Sequence, residues 1–221
     1  MSATATLTMT PVVARADPTV LLRPPPDIIL DQHLVFGRPV GHGGNNWPTS
    51  FYRYGMTWDG RLIPHHGLDM ANDAGVPVLS VGAGTVYYAG NDSEIIFAFK
   101  HNFYGNLVVL RMSETWKDHT IYALYGHLDT ITVLAGQEVA EGELLGTIGG
   151  TGAAYAPHLH FEIRVDDPRS YWAVRNPVLW YKPLPEHGVM AGRVLDRHGH
   201  FIPGHPVTLN CRDGMKRQLD T

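Results

Sequence analysis

His158-Leu159-His160-Phe161-Glu162-Ile163-Arg164-Val165 alternates polar and apolar residues along its whole length. Successive side chains of a strand point to opposite faces, so Leu159, Phe161, Ile163 and Val165 form one apolar face. His158, His160, Glu162 and Arg164 form the other. The apolar face reads as core, and the polar face sets two imidazoles roughly 6–7 Å apart over a cleft. Outward from this stretch, further strand-like runs fall at 76–81, 84–90, 106–111, 120–125, 130–133 and 144–148, with Gly-, Asn- and Asp-containing turns between them. Nowhere do apolar residues recur at helical spacing over three turns. The expectation is an all-β fold, mainly one antiparallel sheet, and the 24 glycines and 16 prolines suit short strands joined by many turns.

The chain has 221 residues, 44% hydrophobic and 17% charged, which suits a globular chain with one well-packed domain and extensions. A formal charge of −4 without blocks of like charge gives no sign of a nucleic-acid groove or a membrane-binding patch. No apolar run approaches the roughly 20 residues that span a bilayer. Cys211 stands alone, so no intrachain disulfide forms. Met1 to Ala16 has neither the basic start nor the apolar stretch of a signal peptide.

Three regions are expected. Residues 1–50 hold a Thr- and Pro-rich linker, ending in Arg23-Pro24-Pro25-Pro26, and a Gly-rich flap from His33 onward. Residues 51–184 hold the main domain. Residues 185–221 alternate over 189–196, turn at Arg197-His198-Gly199-His200 and resume at 206–209. This segment is similar to the start of a carboxypeptidase-regulatory-like β-sandwich.

Chemistry concentrates in two clusters, His65-His66-Gly67-Leu68-Asp69 and His158-Leu159-His160-Phe161-Glu162, with Tyr125-Gly126-His127-Leu128-Asp129 between them. Gly67, Asn72 and Gly75 argue against a helix, so the first cluster is a turn running into a strand. Two ligands four residues apart around a glycine can fold back on one ion. Two imidazoles and a carboxylate leave a tetrahedral zinc with one open position, as catalytic rather than structural zinc sites do. In the second cluster only one histidine need bind metal, and the other is near enough to act on what the metal binds.

The pattern His-x-Gly-x-Asp, an isolated Tyr-x-His-Leu and His-Leu-His-Phe-Glu, in that order, resembles the M23 family of zinc metallopeptidases, the lysostaphin and LytM-like endopeptidases. The resemblance extends over Gly75-Val76-Pro77-Val78, Gly82 to Val86, Tyr104-Gly105-Asn106, Gly136 to Val139 and Gly146 to Pro157, and so over about 55–165. It implies one zinc ion held by His65, Asp69 and His160, with His127 and His158 as catalytic histidines that are not ligands. It implies peptide hydrolysis by a zinc-activated water, in peptidoglycan stem-peptide crosslinks or interpeptide bridges, and therefore an extracytoplasmic bacterial setting. The rival reading is a non-hydrolytic wall-binding or amidase-activating module with a residual zinc site, which stoichiometric zinc and turnover of peptidoglycan would separate from an enzyme. In some relatives an upstream asparagine blocks the zinc and keeps the enzyme latent. The region around His42, Asn45 and Asn46 is expected to be a flap or groove wall instead.

The other histidines read as structural or surface residues: His33, His101, His119 and His187 singly, and His198, His200 and His205 in the tail. His66 is out of register with its neighbour and faces away from the ion or lines the cleft. Glu162 shares the face of His160, where it can orient a ligand. Gly149-Gly150-Thr151-Gly152 lacks the Lys-Ser/Thr of a phosphate loop and reads as a turn walling the site. Tyr87, Tyr88, Tyr155 and Trp172 are candidates to flank the groove.

Overall fold

The computed structural model describes residues 34–57, 61–183, 194–200, 207–210 and 216–219. The linker expected over residues 1–30, and His33, His187 and His205, lie outside the described residues. The chain divides into two compact units, residues 30–189 and residues 1–29 with 190–221.

Among its described residues the larger unit contains nine strands: β1 (Leu68–Ala71), β2 (Pro77–Leu79), β3 (Gly84–Asn91), β4 (Asn106–Trp116), β5 (His119–Ile131), β6 (Glu138–Val139), β7 (Leu144–Ile148), β8 (His158–Val165) and β9 (Val174–Arg175). Its one helical element among the described residues is a 3₁₀ turn, Pro177–Leu179, capped by the Asn176 side chain. The sheet runs β1-β8-β5-β4-β3-β6, with β9 beside β8, β7 on the far end of β5, and β2 on β7. Every ladder is antiparallel. The fold is all-β, as the alternation in β8 demands.

Both faces of the central strands are covered. Leu159, Phe161, Ile163 and Val165 of β8 join Leu68, Met70, Val108, Leu110, Ile121, Ala123 and Tyr125 in the main core. Each fully buried large apolar side chain there contributes about 1.5–3 kcal/mol relative to exposure. On the opposite face Leu107, Val109, Tyr122 and Leu124 pack under Phe97, Tyr104 and Tyr171, which come from the loops after β3 and β8. The upstream segment is part of this unit. Phe36 and Val40 are buried in the main core, Phe36 bridging to Tyr181 and Val40 to Val78.

Strand β5 breaks its own alternation. Ile121, Ala123 and Tyr125 face the main core while Tyr122 and Leu124 face the other side, yet Leu128 again joins the main core. The parity flips at Gly126-His127, where the β4 register jumps from Val108↔Tyr125 to Asn106↔Leu128. His127 sits there at φ 63°. This bulge lets one strand serve two partners, β8 before it and β7 after it. The runs expected separately at 120–125 and 130–133 are thus joined through the bulge in one strand, β5, which ends at Ile131.

The smaller unit contributes the antiparallel hairpin β10 (Val207–Asn210) and β11 (Lys216–Leu219). The expected turn at 197–200 is present, with Asp196 Oδ1 accepting from the amides of His198 and His200. The start of the strand expected from Val189 lies outside the described residues.

Candidate metal centre

The antiparallel register of β1 on β8 pairs Asp69 directly with His160. Paired residues share a face, so both side chains project to the side away from the main core. His65 lies three residues before β1, in a loop tied to an upstream segment: its amide donates to the Met56 carbonyl and its carbonyl accepts from Gly55. Tyr52 stacks on its ring at 4.2 Å between centroids. The result is a tight set of donors. His160 Nδ1 lies 2.8 Å from Asp69 Oδ1, and His65 Nε2 lies 3.2 Å from that oxygen and 3.3 Å from His160 Nδ1. Ligands about 2.0–2.2 Å from a tetrahedral zinc stand roughly 3.3–3.5 Å apart. Two neutral-capable nitrogens and one carboxylate oxygen at nearly that spacing fit such an ion.

Gly67 makes this convergence possible. A Cβ at that position would fall 2.6 Å from the Phe161 carbonyl oxygen and 2.7 Å from His160 Nε2. Only a residue without a side chain lets β1 lie against the imidazole of β8.

His127 and His158 stand on the other side of His160. Their rings are 4.7 Å apart, and the ring of His127 is 5.7 Å from that of His160. The bulge in β5 is the cause, because regular alternation would have aimed His127 into the main core. Each of the two histidines uses Nδ1 to reach a backbone carbonyl, His127 to Thr151 at 2.8 Å and His158 to Ala156 at 2.8 Å. A carbonyl only accepts, so both rings carry hydrogen on Nδ1 and present Nε2 to the site. His158 Nε2 lies 3.5 Å from Asp69 Oδ1. Beside Thr151, Gly105 and Gly152 are both in left-handed conformation and their backbones touch. A Cβ on either would lie 2.4 Å from the other's amide nitrogen. The glycine-rich run is thus a wall of the site.

Behind His160 lies a network of which the alternation announced only Glu162. His160 Nε2 donates to Glu162 Oε1 at 3.0 Å, and Tyr104 Oη donates to the same oxygen. Arg164 Nε donates to Glu162 Oε2 at 2.7 Å, and its Nη2 donates to Tyr104 Oη at 2.8 Å. Glu162, Arg164 and Tyr104 are all 0% exposed. Only the His158 end of the polar face reaches the cleft, because the loops carrying Phe97, Tyr104 and Tyr171 cover Glu162 and Arg164.

The charges follow from these contacts. Burial opposes ionisation of Asp69, but hydrogen bonds from His158, His160 and His65 hold it well below the usual carboxylate range. Burial also opposes charge on Glu162, but the Arg164 guanidinium and the His160 imidazole together outweigh it and hold the carboxyl below its usual range. Burial lowers His127 to about 3, helped by its histidine neighbours. Burial pushes His160 down, yet its bonds to Asp69 and Glu162 raise it to about 9.

All five residues singled out from sequence meet here. Two overlapping triads have ligand atoms within 4.8 Å of one another, His65-Asp69-His160 and His127-His158-His160. The remaining histidines fall elsewhere or out of register. His66 is buried, donates from Nδ1 to the Tyr171 carbonyl at 2.7 Å and packs on that ring. His119 pairs with Asp166 at the surface, His101 is exposed, and His198 and His200 sit in the exposed tail turn. Asn46 exchanges hydrogen bonds with the Val40 backbone and Asn45 reaches the Trp47 and Ala71 carbonyls, so both amides are spent within the flap and on the end of β1. Tyr87 packs on Tyr122 and Tyr88 on Phe97, under the second core rather than along the centre. Tyr155 and Trp172 are largely exposed.

Residues 63–171 match the model of peptidase family M23. Over 106 residues, 48% of this chain, it is 38% identical to the peptidoglycan DD-endopeptidase ShyB of Vibrio cholerae, covering 22% of that protein. Over 127 residues, 56% of this chain, it is 34% identical to the cell division protein DipM of Caulobacter vibrioides, covering 18% of it. The chain thus spans about a fifth of each of these relatives. Among solved structures it resembles the catalytic domain of a variant of the prophage-encoded M23 protein EnpA from Enterococcus faecalis. That likeness has a TM-score of 0.51 at 25% identity and covers 65% of this chain and 95% of that one. Residues 63–171, which carry all five residues of the centre, are a peptidase family M23 domain.

Proposed function

We propose that this chain is a zinc metalloendopeptidase that hydrolyses peptide bonds of bacterial peptidoglycan, at stem-peptide crosslinks or interpeptide bridges, outside the cytoplasm. One observation carries the reading: His65 Nε2, Asp69 Oδ1 and His160 Nδ1 converge within 3.3 Å of one another, with two further histidines beside them. Of the two triads, the one with Asp69 is the metal site. It includes an anion, its spacing suits a tetrahedral ion, and it leaves His127 and His158 free for chemistry. A wall peptide as substrate is supported by the Vibrio cholerae relative, a peptidoglycan DD-endopeptidase.

Held by this triad, zinc supplies Lewis acidity towards a carbonyl and brings the ionisation of water near neutral pH. The chain's own residues handle the protons. Because Nδ1 of His127 and of His158 is tied to a carbonyl, proton transfer runs at Nε2. There each ring accepts a proton and, once charged, donates to a developing oxyanion or a leaving amine. Trp172 and Tyr155, exposed near the histidine loops in sequence, are candidates to contact the substrate.

The test is incubation of purified protein with crosslinked muropeptides, read by mass spectrometry. Cleaved dimers that vanish on chelation and return with zinc are expected. Zinc-loaded protein that leaves every crosslink type intact yet stimulates a wall amidase would establish the rival, non-hydrolytic reading.

A further inference from the structure

We propose that Glu162, clamped by Arg164 and Tyr104, is the positioning residue that makes His160 a metal ligand through Nδ1. The inference rests on the metal-site reading above and goes beyond it by assigning function to three residues that touch neither ion nor substrate. Neutral imidazole has one donor and one acceptor nitrogen, and which is which is set by what the ring meets. His160 Nδ1 faces Asp69 and His65, while Nε2 faces Glu162 Oε1 at 3.0 Å. A carboxylate can only accept, so Nε2 carries the hydrogen and Nδ1 is left with its lone pair towards the ion.

The network cannot adopt the opposite arrangement. Glu162 Oε2 accepts from Arg164 Nε at 2.7 Å, and Oε1 accepts from both Tyr104 and His160. Arg164 is anchored independently, because Nη1 donates to the carbonyls of Phe97 and Pro168, both at 2.8 Å. Tyr104 is anchored too. Asp92, fully buried, accepts from the backbone amides of Phe103, Tyr104 and Gly105. Neither partner can turn to give Glu162 a different role. All its acceptor capacity points at three fixed donors, and one of these is the metal ligand's rear nitrogen.

Glu162→Gln reverses this logic without changing size. A glutamine must still offer oxygen to the Arg164 Nε–H, which places its NH₂ against His160 Nε2. That nitrogen then has to accept, and the hydrogen moves to Nδ1, where it blocks the ion. Removing such a partner behind a metal-bound histidine typically costs 10–100-fold in metal affinity. Tyr104→Phe removes one donor and keeps the carboxylate, so the hydrogen stays on Nε2.

The experiment measures zinc affinity by competition with a chromophoric chelator. In zinc-loaded protein it also records the proton resonance of the hydrogen-bonded His160 Nε2–H. Expected are a 10–100-fold weaker affinity and loss of that resonance in Glu162→Gln, with Glu162→Asp recovering part of both. Tyr104→Phe should keep the resonance, shifted, with less than a tenfold loss of affinity. If Glu162→Gln does not fold, the wild-type and Tyr104→Phe spectra decide: a hydrogen-bonded Nε2–H present in both supports the inference, and its absence from the wild type overturns it. Zinc affinity lost in His160→Ala but unchanged in folded Glu162→Gln overturns the inference and leaves the metal site standing. Wild-type protein that binds no zinc overturns both.

Discussion

Gly67→Ala adds one methyl group between β8 and the segment leading into β1, which together carry the proposed ligands. The new carbon would lie 2.7 Å from His160 Nε2 and 2.6 Å from the Phe161 carbonyl, about 0.7–0.8 Å inside ordinary contact near 3.4 Å. The carbonyl belongs to the β8 backbone and is paired on both sides, so the imidazole has to give way. It has little room, with Glu162 Oε1 at 3.0 Å behind it and the Tyr104 ring 5.5 Å away. Overpacking of this kind costs about 1–3 kcal/mol. Alanine also stiffens the unfolded chain, which offsets about 0.4–1 kcal/mol, so a net loss of about 0–2.6 kcal/mol remains. The larger effect is on the metal. A ligand atom displaced by several tenths of an ångström exceeds the roughly 0.2 Å tolerance of metal–ligand distances, and zinc affinity should fall about 10–100-fold. Urea denaturation of metal-free protein and chelator competition measure the two terms separately. Zinc affinity within twofold of wild type, with unchanged stability, would refute the claim that Gly67 is there to admit His160.

Three further outcomes are expected. Arg164→Leu strips the buried Glu162 carboxylate of its counter-charge and should cost about 3–5 kcal/mol in urea denaturation, while Arg164→Leu with Glu162→Leu should lose less than the single change. Gly152→Ala meets both a positive φ of 70° and the Gly105 backbone. It should destabilise by about 2–4 kcal/mol and broaden the NMR signals of His127, whose carbonyl partner is displaced. In the metal-free protein His127, held to about 3, stays neutral while an unfolded histidine takes a proton below about pH 6.5. Its folded pKa is depressed, so stability falls as pH drops from about 6.5 towards 3, by about 2 kcal/mol at pH 5. His127→Asn, which tolerates a left-handed backbone, should flatten that slope. Equal slopes for both proteins would count against it.

Much of the fold and site is legible in the order of residues because period-two alternation survives folding. The run from His158 to Val165 is strand β8 to the residue, and its apolar face enters the main core as expected. The spacing around Gly67 also announces that His65 and Asp69 fold back on one point. What alternation conceals is where it breaks. His127 lies on the wrong parity for the site, and only the bulge beside Gly126 turns it round. Burial of the polar face was hidden for a different reason. Glu162 and Arg164 look like cleft residues until Tyr104, 58 residues away from Glu162, is laid over them by a loop that Asp92 organises. Tyr52 stacking on His65 and Phe36 entering the main core are contacts of the same long-range kind, and no local pattern marks them.

The most direct test of the account separates the two overlapping triads by counting zinc. Wild type, His65→Ala, His160→Ala and His158→Ala are each assayed for bound zinc per chain and for cleavage of crosslinked muropeptides. The account predicts one zinc in wild type, none in His65→Ala or His160→Ala, and one in His158→Ala together with loss of cleavage. Zinc retained by His65→Ala and lost from His158→Ala would put the ion among His127, His158 and His160 and contradict the assignment.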